Sequence, residues 1–187
     1  MNERLTGRVL IAMPGIGDPR FERAVILMCA HNDHHAVGLT LNQPADGLPL
    51  PSLLRRLSLE PDGSLPEDPV LVGGPVERER GFVLHTDDYM SRGSSQPVGE
   101  GVAWTATRDA LQALCERMRR PRRAVLALGY AGWGAGQLER EIQDNAWLTC
   151  EPDESLLFDA DHDFKWARAL AKLGVAAGNL SAQSGHA

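Results

Sequence analysis

A chain of 187 residues and 20.3 kDa suits one domain, or two small ones. Its 43% apolar and 24% charged residues are globular in composition, which excludes disordered, collagenous and coiled-coil chains. The net charge of −6 gives no general attraction to nucleic acid or anionic lipid, so none of these quantities selects a chemistry.

The first residues do not read as a signal peptide, because the apolar run beginning at Val9 is short and Pro14 and Gly15 end it. No stretch approaches the roughly 20 apolar residues that span a bilayer. The cysteines Cys29, Cys115 and Cys150 lack paired spacing and read as small buried hydrophobes rather than a disulfide framework. A cytoplasmic protein without membrane association is the expectation.

Hydrophobic patterning predicts strands over residues 7–12, 24–30 and 36–41, the last two joined by the polar tip His31-Asn32-Asp33-His34-His35. Residues 42–69 are rich in Pro and Gly and carry one short predicted helix over 52–57. Strands follow at 69–72 and 81–85, separated by Gly73-Gly74-Pro75. Residues 87–101 read as a polar connection before a strand at 102–105. Thr107 is placed to cap a helix whose buried stripe would be Leu111, Leu114, Cys115 and Met118, stopped by Pro121. A central strand at 123–130 runs into the turn Gly129-Tyr130-Ala131-Gly132-Trp133-Gly134-Ala135-Gly136, then a helix over 137–144 and a strand over 147–150. The last helix would bury Trp166, Ala169, Leu170 and Leu173 and end at Gly174. Strands cluster early and alternate with helices later, which predicts one mixed α+β domain over residues 1–187.

Several segments carry residue types suited to chemistry. Glycines before a helix let a ligand approach backbone N–H groups, so Gly132, Trp133, Gly134, Gly136 and Gln137 are candidates for an anion site; a tight turn, in which such glycines are usually structural, is the favoured alternative. The loop lacks both a Walker lysine and a dinucleotide fingerprint, and no cofactor is expected. Gln137 and Glu141 are i, i+4 neighbours that suit acid–base work or metal holding, or a solvated helix face that includes Glu139. Asp18 before Pro19 suits a pocket mouth or a turn cap. His31, Asp33, His34 and His35 are metal-ligand types without a defined spacing, so an exposed hairpin tip is expected and no metal site is assigned. His85 ends a strand, and His186 lies near the C-terminus. The run Arg117, Arg119, Arg120, Arg122 and Arg123 suits phosphate contact or a solvated helix end. Lys165, Arg168 and Lys172 form a smaller basic stripe after an acidic stretch, with an internal ion-pair role as the alternative. Between Glu139 and Asp163 nine acidic residues face Arg140 alone, so the charge is unevenly spread.

Taken in order, Leu10-Ile11-Ala12-Met13-Pro14 with Asp18-Pro19 and Phe21, Gly38-Leu39 with Leu41-Asn42 and Pro44, Gly73-Gly74-Pro75-Val76 with Gly81-Phe82-Val83-Leu84-His85, Leu128 through the glycine run to Glu139, Trp147, and the closing Gly185-His186-Ala187 resemble the YqgE/AlgH family of bacterial proteins. The chain departs from that pattern at His34-His35, where small residues are usual, and at Gln43, where Arg is common. The resemblance implies mixed β-sheets wrapped into a pseudo-barrel with helices outside, and a bacterial, cytosolic protein. It implies no established reaction, and one branch of the family carries a transcriptional-regulator label.

Three functions remain open on the sequence. The first is a non-enzymatic regulatory or interaction protein with a small-ligand pocket, or a protein partner, at Met13, Pro14, Asp18, Asn42, Pro44, Gly73, Gly74, Pro75 and the glycine run. The second is a hydrolase or phosphoryl-group enzyme using Asp18, His85, Gln137 or Glu141. The third is nucleic-acid contact through the arginine run.

Overall fold

The computed structural model describes residues 5–180. Ten strands and six helices follow one another as β1 Val9–Ala12, β2 Val25–His31, β3 His35–Thr40, β4 Pro44–Pro49, α1 Leu50–Arg56, β5 Pro69–Val72, β6 Val76–Thr86, β7 Ser95–Gly99, β8 Val102–Thr105, α2 Arg108–Cys115, β9 Ala124–Gly134, α3 Gln137–Gln143, β10 Trp147–Cys150, α4 Glu154–Phe158, α5 Lys165–Lys172 and α6 Ala177–Leu180. The strands form one curled half-barrel sheet in the order β10-β1-β2-β3-β9-β6-β8-β7, with β5 on β9 and β4 on β5, and the expected α+β class holds. The closing Gly185-His186-Ala187, including His186, lies outside the described residues.

β9 organises this sheet. β6 runs antiparallel along one of its edges (Phe82 opposite Ala127, Leu84 opposite Val125). On the other edge β5 pairs in parallel with its first half, Leu71 opposite Ala127 and Val72 opposite Leu128. Beyond Gly129 the partner becomes β3, antiparallel, with Gly38 opposite Ala131 and His35 opposite Gly134. Gly129 sits at φ +74°, in the left-handed region, where the strand changes partner. The chain leaving β5 crosses it so closely that a Cβ on Gly74 would lie 2.0 Å from the Tyr130 carbonyl carbon, and one on Gly73 2.3 Å from the Gly129 oxygen. Thr40 N–H donates to the Gly73 oxygen and Gly73 N–H to the Leu128 oxygen, so β3 and β5 are sewn together at this crossing (2.8 Å each).

The structure corrects the sequence reading in several places. The glycine run is strand as far as Gly134, and only Ala135 and Gly136 turn into α3. The stretches 42–69 and 87–101 each hold a strand, β4 and β7, pairing with β5 and β8. Helix α2 ends at Cys115, well before Pro121, so Met118 is 96% exposed rather than part of the buried stripe. Thr107 holds the N-cap position, but its hydroxyl bonds the Asp109 carboxylate and caps no backbone N–H. Leu173 follows α5 and is 41% exposed, leaving Trp166, Ala169 and Leu170 to face the core. All three cysteines are buried and free, and burial pushes each thiol pKa up.

Gly74→Ala is expected to cost more than about 2 kcal/mol, because the new methyl meets backbone that cannot move without breaking the β5–β9 pairing. Gly99→Ala, where nothing lies within 4 Å of the new Cβ, is expected to shift stability by less than about 0.5 kcal/mol. Urea denaturation midpoints of the two variants check this.

Candidate functional site

A cleft of about 840 Å3 opens where the loop after β1 meets the end of β3 and helix α5. Its walls include Met13, Pro14, Asp18, Asn42, Gln43 and Trp166. The loop is fixed at its start by Met13 N–H on the Ala146 oxygen (2.9 Å). Asp18 then caps a single 3-10 turn, Pro19–Phe21, accepting from Arg20 N–H at 3.0 Å, and takes the Arg20 guanidinium as a fork at 2.7–3.2 Å. That guanidinium holds the Asp18 carboxyl below its usual pKa. Asn42 braces the opposite side: its Oδ1 accepts from Val25 N–H (2.9 Å) and its Nδ2 donates to the Arg23 oxygen (2.8 Å). Gln43 Nε2 donates to the Arg20 oxygen at 2.9 Å. The Trp166 indole donates to the Ala12 oxygen at 2.8 Å, and Arg23 lies over its ring, 5.3 Å from the centroid. The cleft is thus a tied frame of backbone and side-chain bonds. Among its lining charges Asp18, Glu22 and Asp163 outnumber Arg23.

At the start of α5 stand two unusual polar groups. Lys165 is fully buried and donates from Nζ to the Leu41 oxygen (3.0 Å); burial pushes its pKa down to about 8. His162, 8% exposed, stands in the wall between this cleft and a second cavity of about 370 Å3, which is also lined by Arg120, Arg122 and Arg123. Burial, followed by the nearby Lys165 charge, lowers the His162 pKa, so the ring is neutral near pH 7. The sequence placed Lys165 in a basic stripe with an internal ion pair as the alternative and did not single out His162; burial of either side chain depends on its tertiary surroundings.

The other nominated residues sit elsewhere. Gly73, Gly74 and Pro75 form the crossing over β9, and the glycine run lies along β9; neither lines the cleft, and Pro44 stands at the start of β4 outside it. Gly134 N–H, the donor that suited an anion, is bonded by the Gln137 side chain at 3.0 Å. Glu141 is a structural acceptor: Trp133 and Trp147 indoles donate to its Oε2 at 2.9 and 2.8 Å, and Gln137 Nε2 to its Oε1 at 2.9 Å. One carboxylate therefore joins α3 to β9 and β10. His85 is completely buried, with Nδ1 on the Thr86 oxygen (2.9 Å) and Nε2 on the Thr105 hydroxyl (2.8 Å), and burial lowers its pKa. Of the four residues considered for catalysis, only Gln137 and Glu141 touch.

His31 is buried rather than at an exposed tip. Leu5 N–H donates to Nδ1 (3.0 Å), which places the ring proton on Nε2, facing Glu139 at 2.8 Å. Glu139 is thus no solvated carboxylate; its own N–H in the first turn of α3, and then His31, hold its pKa down. His34 and His35 are exposed, their N–H groups capped by Asn32. Four arginines of the basic run are engaged: Arg119 with Glu116, Arg120 Nε with the Leu114 oxygen (2.8 Å), Arg122 with Glu154 and Arg123 with Asp159. Arg117 has no partner among the described residues. In the second stripe Arg168 pairs with Asp159 and Lys172 with Asp153.

The sequence profile of the family described as AlgH-like matches residues 9–178. The chain belongs to the AlgH-like family. A UPF0301 protein of Caulobacter vibrioides is 60% identical over 185 residues, covering 99% of this chain and 95% of the relative. One from Ruegeria pomeroyi is 50% identical and covers 98% and 99%. The solution structure of the AlgH protein from Pseudomonas aeruginosa superposes with a TM-score of 0.76 at 40% identity over 100% of this chain and 98% of that one. A Corynebacterium diphtheriae protein, at 20% identity and a TM-score of 0.65 over 82% of this chain, shares the fold. Among the described residues of this AlgH-like chain no helix is long and apolar enough to cross a membrane.

Two outcomes test the polar framework. Glu141→Ala strands two indole N–H groups and is expected to cost about 2–4 kcal/mol in denaturant unfolding. For Lys165, the folded pKa of about 8 lies below the unfolded 10.5, so the unfolded chain holds a proton that the folded one has lost. The stability of the wild type minus that of Lys165→Met should therefore rise between pH 8 and 10.5; a difference that stays flat removes the buried-charge reading.

Proposed function

We propose that this chain acts by binding rather than by bond chemistry, as a regulatory or interaction protein whose small-ligand site is the cleft framed by Met13, Asp18, Asn42 and Trp166. The observation that carries the reading is the cleft itself: three chain segments held by their own hydrogen bonds enclose about 840 Å3, within the range of small-ligand sites. Its acidic lining and the Trp166 ring favour a neutral or cationic ligand with one apolar face, which moves the site away from the anion loop anticipated at Gly132–Gln137. Free buried cysteines and the absence of a membrane-crossing helix among the described residues agree with a cytoplasmic setting.

A hydrolytic or phosphoryl-transfer reading has less support, because Asp18, His85 and Glu141 each spend their polar atoms on structural partners in different parts of the molecule. Direct nucleic-acid contact also has less support: Glu116, Glu154 and Asp159 stand against the arginine run and cancel much of its local field.

A screen of small polar and aromatic amines and neutral metabolites by thermal shift, followed by amide chemical-shift mapping, is expected to give ligands that perturb Met13, Asp18, Asn42 and Trp166. Ala167→Trp, which adds bulk at an exposed position on the cleft wall, should abolish those shifts without unfolding the protein. Hits that map outside the cleft, or turnover of ester or phosphate substrates that Glu141→Gln abolishes, contradict the reading.

A further inference from the structure

The second cavity differs from the cleft in both charge and lining. It lies between β5, the start of β9 and the chain after α4, and its apolar wall is Val70, Leu114, Leu126 and Phe158. At about 370 Å3 it is at the lower end of the roughly 300–1,000 Å3 of small-ligand sites.

Two of the residues that line it carry a buried polar atom without a hydrogen-bond partner among the described residues, Arg120 Nη2 and His162 Nδ1. Arg120 is held by its Nε on the Leu114 oxygen, so its position is set while one face of the guanidinium stays unanswered. Voids in folded proteins are normally apolar, and buried polar atoms normally paired, so two orphans on the residues lining one cavity point to a missing partner. Arg122 is paired with Glu154, and Arg123 and Arg168 share Asp159; with Arg120 and Asp68 added, the groups at this wall and their ion-pair partners carry an excess of one positive charge with His162 neutral. A single negative charge balances that excess, whereas a phosphate dianion would meet the lining carboxylates Asp68 and Asp159 with one charge left over. Guanidinium recognises a carboxylate through paired N–H donors.

We infer that this cavity binds a small amphipathic monocarboxylate, its carboxylate on Arg120 and its apolar body against Val70, Leu114, Leu126 and Phe158. The site is separate from the cleft, and His162 is the wall between them. Occupancy here therefore touches a residue that also lines the cleft.

Octanoate is the probe, titrated into the full chain and followed by amide chemical shifts and calorimetry, with octanol as its neutral counterpart. Saturable octanoate binding is expected, with shifts centred on Val70, Leu126 and Phe158. Octanol should bind about tenfold more weakly or worse, as should octanoate to Arg120→Gln, and Arg120→Lys should keep part of the affinity. If Arg120→Gln does not fold, the lysine variant and the octanol comparison decide. No saturable binding at millimolar octanoate, equal binding of octanol, or undiminished binding by a folded Arg120→Gln overturns the inference. Shifts centred on Met13, Asp18 and Asn42 overturn it as well, and assign the carboxylate to the cleft.

Discussion

At Gly73, Gly74 and Gly129 two backbones pass so closely that no side chain fits between them. This contact lets β9 exchange one partner for another along the same edge, β5 before the crossing and β3 after it. Without the exchange the β4–β5 pair would have no seat, and the sheet would continue flat past β9. The consequences reach the core. β9 supplies Leu126 to one hydrophobic cluster, Ala127 to a second, and Ala131 and Trp133 to a third. Among the described residues no other strand contributes buried residues to three of them, so an error in this strand is felt on every side.

The helices are fastened to this sheet by polar groups that look costly in isolation. Glu141 loses solvent but gains three donors, two of them indoles on different strands, and so fixes α3 against β9 and β10. Trp166 bonds the Ala12 oxygen and Lys165 the Leu41 oxygen, which ties α5 to the ends of β1 and β3. These ties also make the clefts: α5 is held at two points, and the space left beside it is walled by Met13, Asn42 and His162. Architecture and candidate binding surface are thus one arrangement.

Much of the fold was legible because it rests on local pattern. The apolar runs of β1, β2, β5 and β10 and the hairpin at Asn32 read directly, as did Asp18 capping its turn. What escaped depends on distant neighbours. β4 and β7 contain Pro, Gly, Asp and Ser, residues of low strand propensity, and are strands because β5 and β8 offer edges to pair with. The glycines of β9 looked like a turn, since glycine marks turns and close backbone approach alike, and only the crossing strand tells them apart. The segments holding Met13, Asp18 and Asn42 do meet, whereas Gly73, Gly74 and the glycine run lie at the β5–β9 crossing, away from that cleft. Lys165 and His162 could not be found from spacing, because burial of a polar side chain is a tertiary fact.

Native-state hydrogen exchange tests the central role of β9 most directly. If the crossing holds the sheet together, the amides of Leu126, Ala127, Leu128 and Ala131 exchange only through global unfolding, with opening free energies equal to the stability measured by denaturant. Exchange of these amides through local opening, while the β1–β2 pair keeps the full protection of the molecule, would show that β9 is a late addition to the sheet rather than the strand on which it depends.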